Sequence, residues 1–114
     1  MKPRVRLAIA ICFSVTAGAG IVSTSHAQTT PKSALLVLSK RDKALAIVDP
    51  TTLKVVAKVP VLEDPHEVIA SSDGKTAYVA CNSKSQVAEI DLAQWKVSRV
   101  IDAGKTADGL AWAK

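Results

Sequence analysis

Two halves of the chain match each other at a constant offset of about 42 residues, with no gap needed. Leu35–Ser39 (LLVLS) matches Ala77–Cys81 (AYVAC), Ala44–Asp49 (ALAIVD) matches Gln86–Asp91 (QVAEID), and Leu53–Val56 (LKVV) matches Trp95–Ser98 (WKVS). Pro65–Val68 (PHEV) falls opposite Ala107–Leu110 (ADGL). Identical residues stand at Val37 and Val79, Ala46 and Ala88, Asp49 and Asp91, Lys54 and Lys96, and Val55 and Val97. Each piece is short, rich in β-branched residues and bounded by turn formers, the signature of a strand. In Thr76–Cys81 (TAYVAC) both alternating faces are apolar or small, as in a strand covered on both sides.

The best-defined stretch is Pro65–Asp91, PHEVIASSDGKTAYVACNSKSQVAEID. Ser71-Ser72-Asp73-Gly74-Lys75 is a hairpin turn: the Asp73 carboxylate can bind the backbone just ahead of it, and Gly74 can take a positive φ. Strands are expected at 66–70, 76–81, 86–91 and 96–101, joined by short loops. An earlier set is expected at 35–39, 44–49 and 54–59. A last strand, Asp108–Ala113, would open a third unit. The expected fold class is therefore all-β, built from four-stranded antiparallel meanders, the blades of a β-propeller, here a partial one. Two such units would leave both outer faces wet. The expectation is a chain that is a truncated fragment of a longer propeller, or one that self-associates through its exposed blade faces.

Residues 1–27 read as an export signal rather than as fold. Lys2, Arg4 and Arg6 precede an apolar run, Leu7–Val22, and Ser25-His26-Ala27 supplies small residues for cleavage before Gln28. Residues 28–33 read as a flexible leader, and 34–114 as the repeat domain. The implied location is periplasmic or secreted, with no membrane attachment after cleavage. The exported part, roughly 87 residues, suits one small domain. It keeps twelve basic against ten acidic residues, a net charge near +2, too mild to imply nucleic acid by itself. It also keeps one cysteine, Cys81, and one histidine, His66. Cys81 alternates with Ala77 and Val79, which reads as a buried, inert thiol.

The run Pro65–Asn82 resembles the YVTN-type β-propeller repeat of exported bacterial proteins. That family's pattern is P-x-x-V-A-x-S-P-D-G-K-x-x-Y-V-x-N followed by V-x-V-I-D. Here Tyr78-Val79-Ala80 stands for its Y-V-T, Asn82 for its N, and Val87–Asp91 for its third strand. Ser72 replaces the usual Pro, and Cys81 intrudes before Asn82. The resemblance implies a ring of about seven blades, of which this chain holds about two. A WD-type repeat lacks its signature here, since neither Trp95 nor Trp112 stands next to an Asp.

In a four-stranded blade, the loop after the second strand shares one end with the connection into the next unit. That end collects Lys40, Arg41, Lys43 and Lys84 from one set of loops, and Glu63, Asp64, His66, Glu67, Lys105 and Asp108 from the other. His66, Glu67, Asp108, Lys40, Arg41, Lys43 and Lys84 are the ligand-binding candidates, because loops at one end of a rigid scaffold usually carry function. His66 lacks the companions that a three- or four-ligand metal site requires. Asp64, His66 and Glu67 imitate an acid–base cluster without a nucleophile or oxyanion arrangement beside it, so no catalytic residue is assigned. Lys40-Arg41-Asp42-Lys43 suits a solvated loop or an anionic polymer such as nucleic acid; interleaved stacking aromatics are missing. Asp49 and Asp91 end strands before turns and read as turn caps.

The reading is a non-enzymatic binding or scaffold module for a small molecule or protein that the sequence does not name, with no cofactor of its own. The alternative is a propeller tied to a redox enzyme with a haem or quinone cofactor.

Overall fold

A computed structural model of the chain describes residues 29–113. The expected signal segment, with Cys12 and His26, lies outside the described residues. Seven strands follow one another: β1 (Leu35–Ser39), β2 (Ala44–Asp49), β3 (Lys54–Pro60), β4 (Pro65–Ala70), β5 (Thr76–Cys81), β6 (Gln86–Asp91) and β7 (Lys96–Asp102). They form two open antiparallel meanders. Sheet A has the order β1-β2-β3 and sheet B the order β4-β5-β6-β7.

The repeat is written into the backbone as well as the residue types. Three pairs of non-glycine residues with positive φ stand one period apart: Lys43 and Ser85 (51° and 56°), Leu53 and Trp95 (57° and 52°), Asp64 and Thr106 (57° and 54°). The register slips at the same place in both sheets, between Ile47 and Val48 and between Glu89 and Ile90. Loop hydrogen bonds repeat too, Val61 N–H to Lys43 O at 2.8 Å and Ala103 N–H to Ser85 O at 3.0 Å. A left-handed conformation costs a side-chain-bearing residue about 1–2 kcal/mol. Its recurrence at fixed spacing means the connection geometry, not the local residue, dictates it.

Turn chemistry follows expectation. Gly74 takes φ 69°, and Asp73 Oδ1 accepts from Lys75 N–H at 3.0 Å and from Ser71 Oγ at 2.6 Å. These bonds, the Ser71 hydroxyl first, hold the Asp73 carboxyl below its usual range. Asp49 Oδ1 accepts from Thr51 N–H at 2.8 Å, and Asp91 Oδ1 accepts from Ala93 and Gln94 N–H at 2.8 and 2.9 Å. Both aspartates cap turns, and the Thr51 bond is the main reason the Asp49 carboxyl is held low.

The core lies between the sheets. Leu45, Ile47 and Val59 of sheet A pack on Ala77, Val79, Cys81, Ala88 and Ile90 of sheet B, all fully buried. Cys81 is free, and burial pushes its thiol up, away from the reactive thiolate form.

One expectation needs correction. Asp108–Ala113 forms no strand. A strand exists only where its N–H and C=O groups have an edge to pair with, and among the described residues none is offered there. The described part of the expected leader, residues 29–33, touches the sheets at one residue. Thr30 Oγ1 donates to Leu92 O and accepts from Trp95 Nε1, which ties the segment to the β6–β7 turn.

Candidate functional site

The β1–β2 loop, the β3–β4 connection, the short 3-10 turn Asn82–Lys84 and the segment after β7 all emerge at one end of the two sheets. Antiparallel pairing dictates this, since alternate connections of a meander return to the same end. Asn82 N–H donates to Asp64 O at 3.0 Å, and Thr106 N–H to Ser85 Oγ at 3.2 Å, so neighbouring loops brace one another.

A chain of polar groups runs across this end. Asp108 Oδ1 lies 2.8 Å from His66 Nδ1. His66 Nε2 lies 2.8 Å from Lys40 Nζ, and Lys40 Nζ lies 2.8 Å from Asp64 Oδ1. Ser83 Oγ donates to the other oxygen of Asp64 at 3.0 Å. An ammonium has only protons to give, so the Lys40 contact makes Nε2 an acceptor. The ring proton, assigned to Nδ1 from the network, then points at Asp108, while Asp64 Oδ1 lies 3.3 Å from Nε2 beside the Lys40 ammonium. The Lys40 hydrogen bond is the main cause that holds the Asp64 carboxyl below its ordinary range, with Ser83 helping. Nearby, Glu63 takes Lys43 at 2.9 Å and Lys84 at 3.6 Å, and its carboxyl is held low chiefly by the Lys43 bond.

Of the candidates, His66, Asp108 and Lys40 meet in one network, and Lys43 and Lys84 converge on Glu63. Glu67 turns away from that network: its Oε2 accepts from Leu110 N–H at 2.9 Å. Arg41 is exposed and shares none of the carboxylates that the three lysines engage. Ser83 was missed, because a loop serine carries no sequence signal for which carboxylate it will reach. Chemically, the network recognises polar groups. The lone pair on His66 Nε2 is occupied by Lys40, and the hydroxyl nearest the network, Ser83, is turned to Asp64. No group of three or more His, Cys, Asp or Glu among the described residues is arranged to hold a metal ion.

A hollow of about 400 Å3 lies at the opposite end and is lined by Thr30, Pro31, Lys32, Asp73, Lys75 and Leu92, among others. It arises where residues 29–32 lie over two turns, and its charges do not converge. The loop end is therefore the better candidate.

No family model matches the chain, and no curated protein does. Among solved structures, Kuenenia stuttgartiensis hydrazine synthase is similar, with a TM-score of 0.62 and 27% sequence identity over 69% of this chain. The match covers 23% of that chain, so this protein spans under a quarter of its neighbour's length. The neighbour supports the arrangement of the strands and leaves the site residues open.

Proposed function

We infer that the chain is an exported β-propeller-type repeat module that binds a polar small molecule or a protein segment through its loop-bearing end. The observation that carries this reading is the Asp108–His66–Lys40–Asp64 network, which joins three loops of two sheets at an exposed surface. Its members are donors and acceptors already aligned at hydrogen-bond distance. A ligand with a carboxylate, phosphate or hydroxyl can replace one protein partner by another without reorganising the scaffold. The repeat, the YVTN-like residues and the face-to-face sheets support the propeller part of the reading, and residues 1–27 support export.

The test is a titration followed by two-dimensional NMR of the His66 ring and the backbone amides. Acetate, phosphate, citrate and simple sugars serve as first probes, against the intact protein and a Lys40→Ala variant. A saturable shift of the His66 ring and of the amides of residues 40–43 and 82–85, weakened at least tenfold in the variant, is expected. Saturable shifts confined to the opposite end would overturn the placement of the site.

A second reading has one observation in its favour. The similar structure is an enzyme, which favours reading this module as a component of a redox enzyme, with the haem or quinone cofactor the alternative reading of the sequence names. A visible absorbance band on the purified native protein would favour it, and a colourless protein would count against it.

A further inference from the structure

The two sheets meet through unlike faces. Sheet A turns Leu36, Leu38, Leu45, Ile47 and Val59 inward, and sheet B turns Ala77, Val79, Cys81, Ala88 and Ile90 inward. Moved by one period, the inward set of sheet B falls on Leu35, Val37, Ser39, Ala46 and Val48, the outer face of sheet A. The inward set of sheet A falls on Tyr78, Ala80, Val87, Glu89 and Ile101, the outer face of sheet B. The outer faces thus carry the positions of both halves of the core interface a second time, with Glu89 where sheet A has Ile47 and with part of the sheet B half lying under residues 110–112. Leu35 and Val37 are 55% and 42% exposed, whereas their equivalents Ala77 and Val79 are fully buried.

A second feature points the same way. In sheet B, β4 pairs with β5; in sheet A, among the described residues, nothing pairs with the corresponding edge of β1. The segment one period beyond β4 is residues 107–112, and residues 108–113 cross the outer face of sheet B without a strand partner. Trp112 packs edge-on against Tyr78 at 5.3 Å and donates Nε1–H to Ala70 O at 2.9 Å. Leu110 lines a hollow of about 200 Å3 with Ile69, Tyr78 and Val87. Its equivalent, Val68, packs from β4 into the core against sheet A. Leu110 therefore already faces the outer side of sheet B as Val68 faces the inner side of sheet A.

We propose that a second copy of this chain docks here. The outer face of sheet A from one copy covers the outer face of sheet B of another, and residues 108–113 of the covered copy pair with β1 of the docked copy as its missing strand. The β4–β5 register, Val68 opposite Val79 and Ala70 opposite Ala77, places Leu110 opposite Val37 and Trp112 opposite Leu35. The added strand closes an open edge and supplies main-chain hydrogen bonds, and the faces supply apolar burial. Docking also brings Lys58, outward on sheet A beside Ala46, to the face that carries the Glu89–Arg99 pair. The contact is head-to-tail, so it repeats from copy to copy until a ring closes. The inference rests on the repeat-module reading and deepens its partner; it does not depend on the loop-end ligand.

The experiment is light scattering of the full chain on a sizing column, with circular dichroism on the same peak. A discrete β-rich species of two or more whole chains is expected. Val37→Asp and Leu110→Pro, the second of which removes a strand N–H, should each return the mass to one chain with the β signal kept. The double variant Val37→Cys/Leu110→Cys should form an oxidised ladder on a non-reducing gel that neither single variant forms. A folded β-rich single chain at every concentration overturns the proposal while leaving the module reading intact, and assigns the face to another occupant. An assembly indifferent to Val37→Asp and Leu110→Pro, with no ladder, also overturns it. A wild-type chain without β structure overturns the module reading as well.

Discussion

Val37 and Val79 are the same residue at the same place in two equivalent strands, β1 and β5. The first stands on the outer face of sheet A, 42% exposed; the second is sealed between the sheets. The same contrast holds at two further equivalent pairs. Leu35 and Val55 are exposed, while Ala77 is buried and Val97 is packed against the core. Residue identity therefore does not determine burial in this protein. Position in the stack does, because a sheet apolar on both faces is covered only where another sheet lies against it.

That contrast can be broken by one substitution made twice. Val79→Asp places an unpaired charge in a dry interface and should cost roughly 4 kcal/mol or more, enough to abolish cooperative folding by circular dichroism. Val37→Asp should change the stability of the single chain by no more than about 0.5 kcal/mol in urea titration. Equal effects at both sites would mean the outer face of sheet A is already covered. A smaller effect comes from Ile90→Ala, which should cost about 2–4 kcal/mol by opening a cavity between the sheets. Val48→Ala, its equivalent on the outer face, should cost well below that.

The turn caps, by contrast, should make the two sheets look alike. Asp49→Ala and Asp91→Ala each leave turn N–H groups without their acceptor and should each cost about 1 kcal/mol in the same titration. A large difference between them would mean that the two turns do not share one geometry.

Acid should act on the loop end before it acts on the core. The carboxyls of Glu63 and Asp64 are lowered by their lysine partners, from ordinary values of 4.5 and 3.8. A lowered folded-state value means the contribution is fully present above the unfolded value and is lost as pH falls through the folded one. Amide shifts of residues 40–43 and 82–85 should therefore move below about pH 4, ahead of the sheet amides. The Cys81 thiol runs the other way. Its raised value favours the neutral form, so its contribution holds below the ordinary thiol value of 9.0 and fades as pH rises. At neutral pH a thiol reagent should label Cys81 only as fast as the sheets separate. The smallest effect is at Leu53, exposed with φ 57°. Leu53→Gly should raise stability by about 0.5 kcal/mol, the relief of a left-handed side chain less the entropy glycine adds to the unfolded chain.

Much of the architecture was legible because alternation and turn residues are local signals. β1, β2, β5 and β6 span the residues that the pattern indicates. β3 and β7 run one residue further, and β4 begins one earlier, at Pro65. The failure at 108–113 is instructive: those residues match a strand, yet strand formation needs a neighbour, and no residue pattern says whether one is present. The loop end was legible from topology alone, since a meander fixes which connections share an end. The pairing within it was not. That Lys40 sits between His66 and Asp64, that Glu67 turns to Leu110, and that Thr30 reaches Trp95 depend on side-chain reach across loops distant in sequence.

The recurring left-handed residues at the ends of the period have a consequence for how such a chain can lengthen. Because every connection returns the backbone to the same direction after one period, inserting or deleting a whole repeat in the gene leaves each remaining strand in register and each apolar face on its own side. An insertion of an odd number of residues within a strand shifts its side chains to the wrong face. Growth by whole-unit duplication is thus structurally silent, and the size of such a protein is free to drift in steps of one unit while its sheets stay the same.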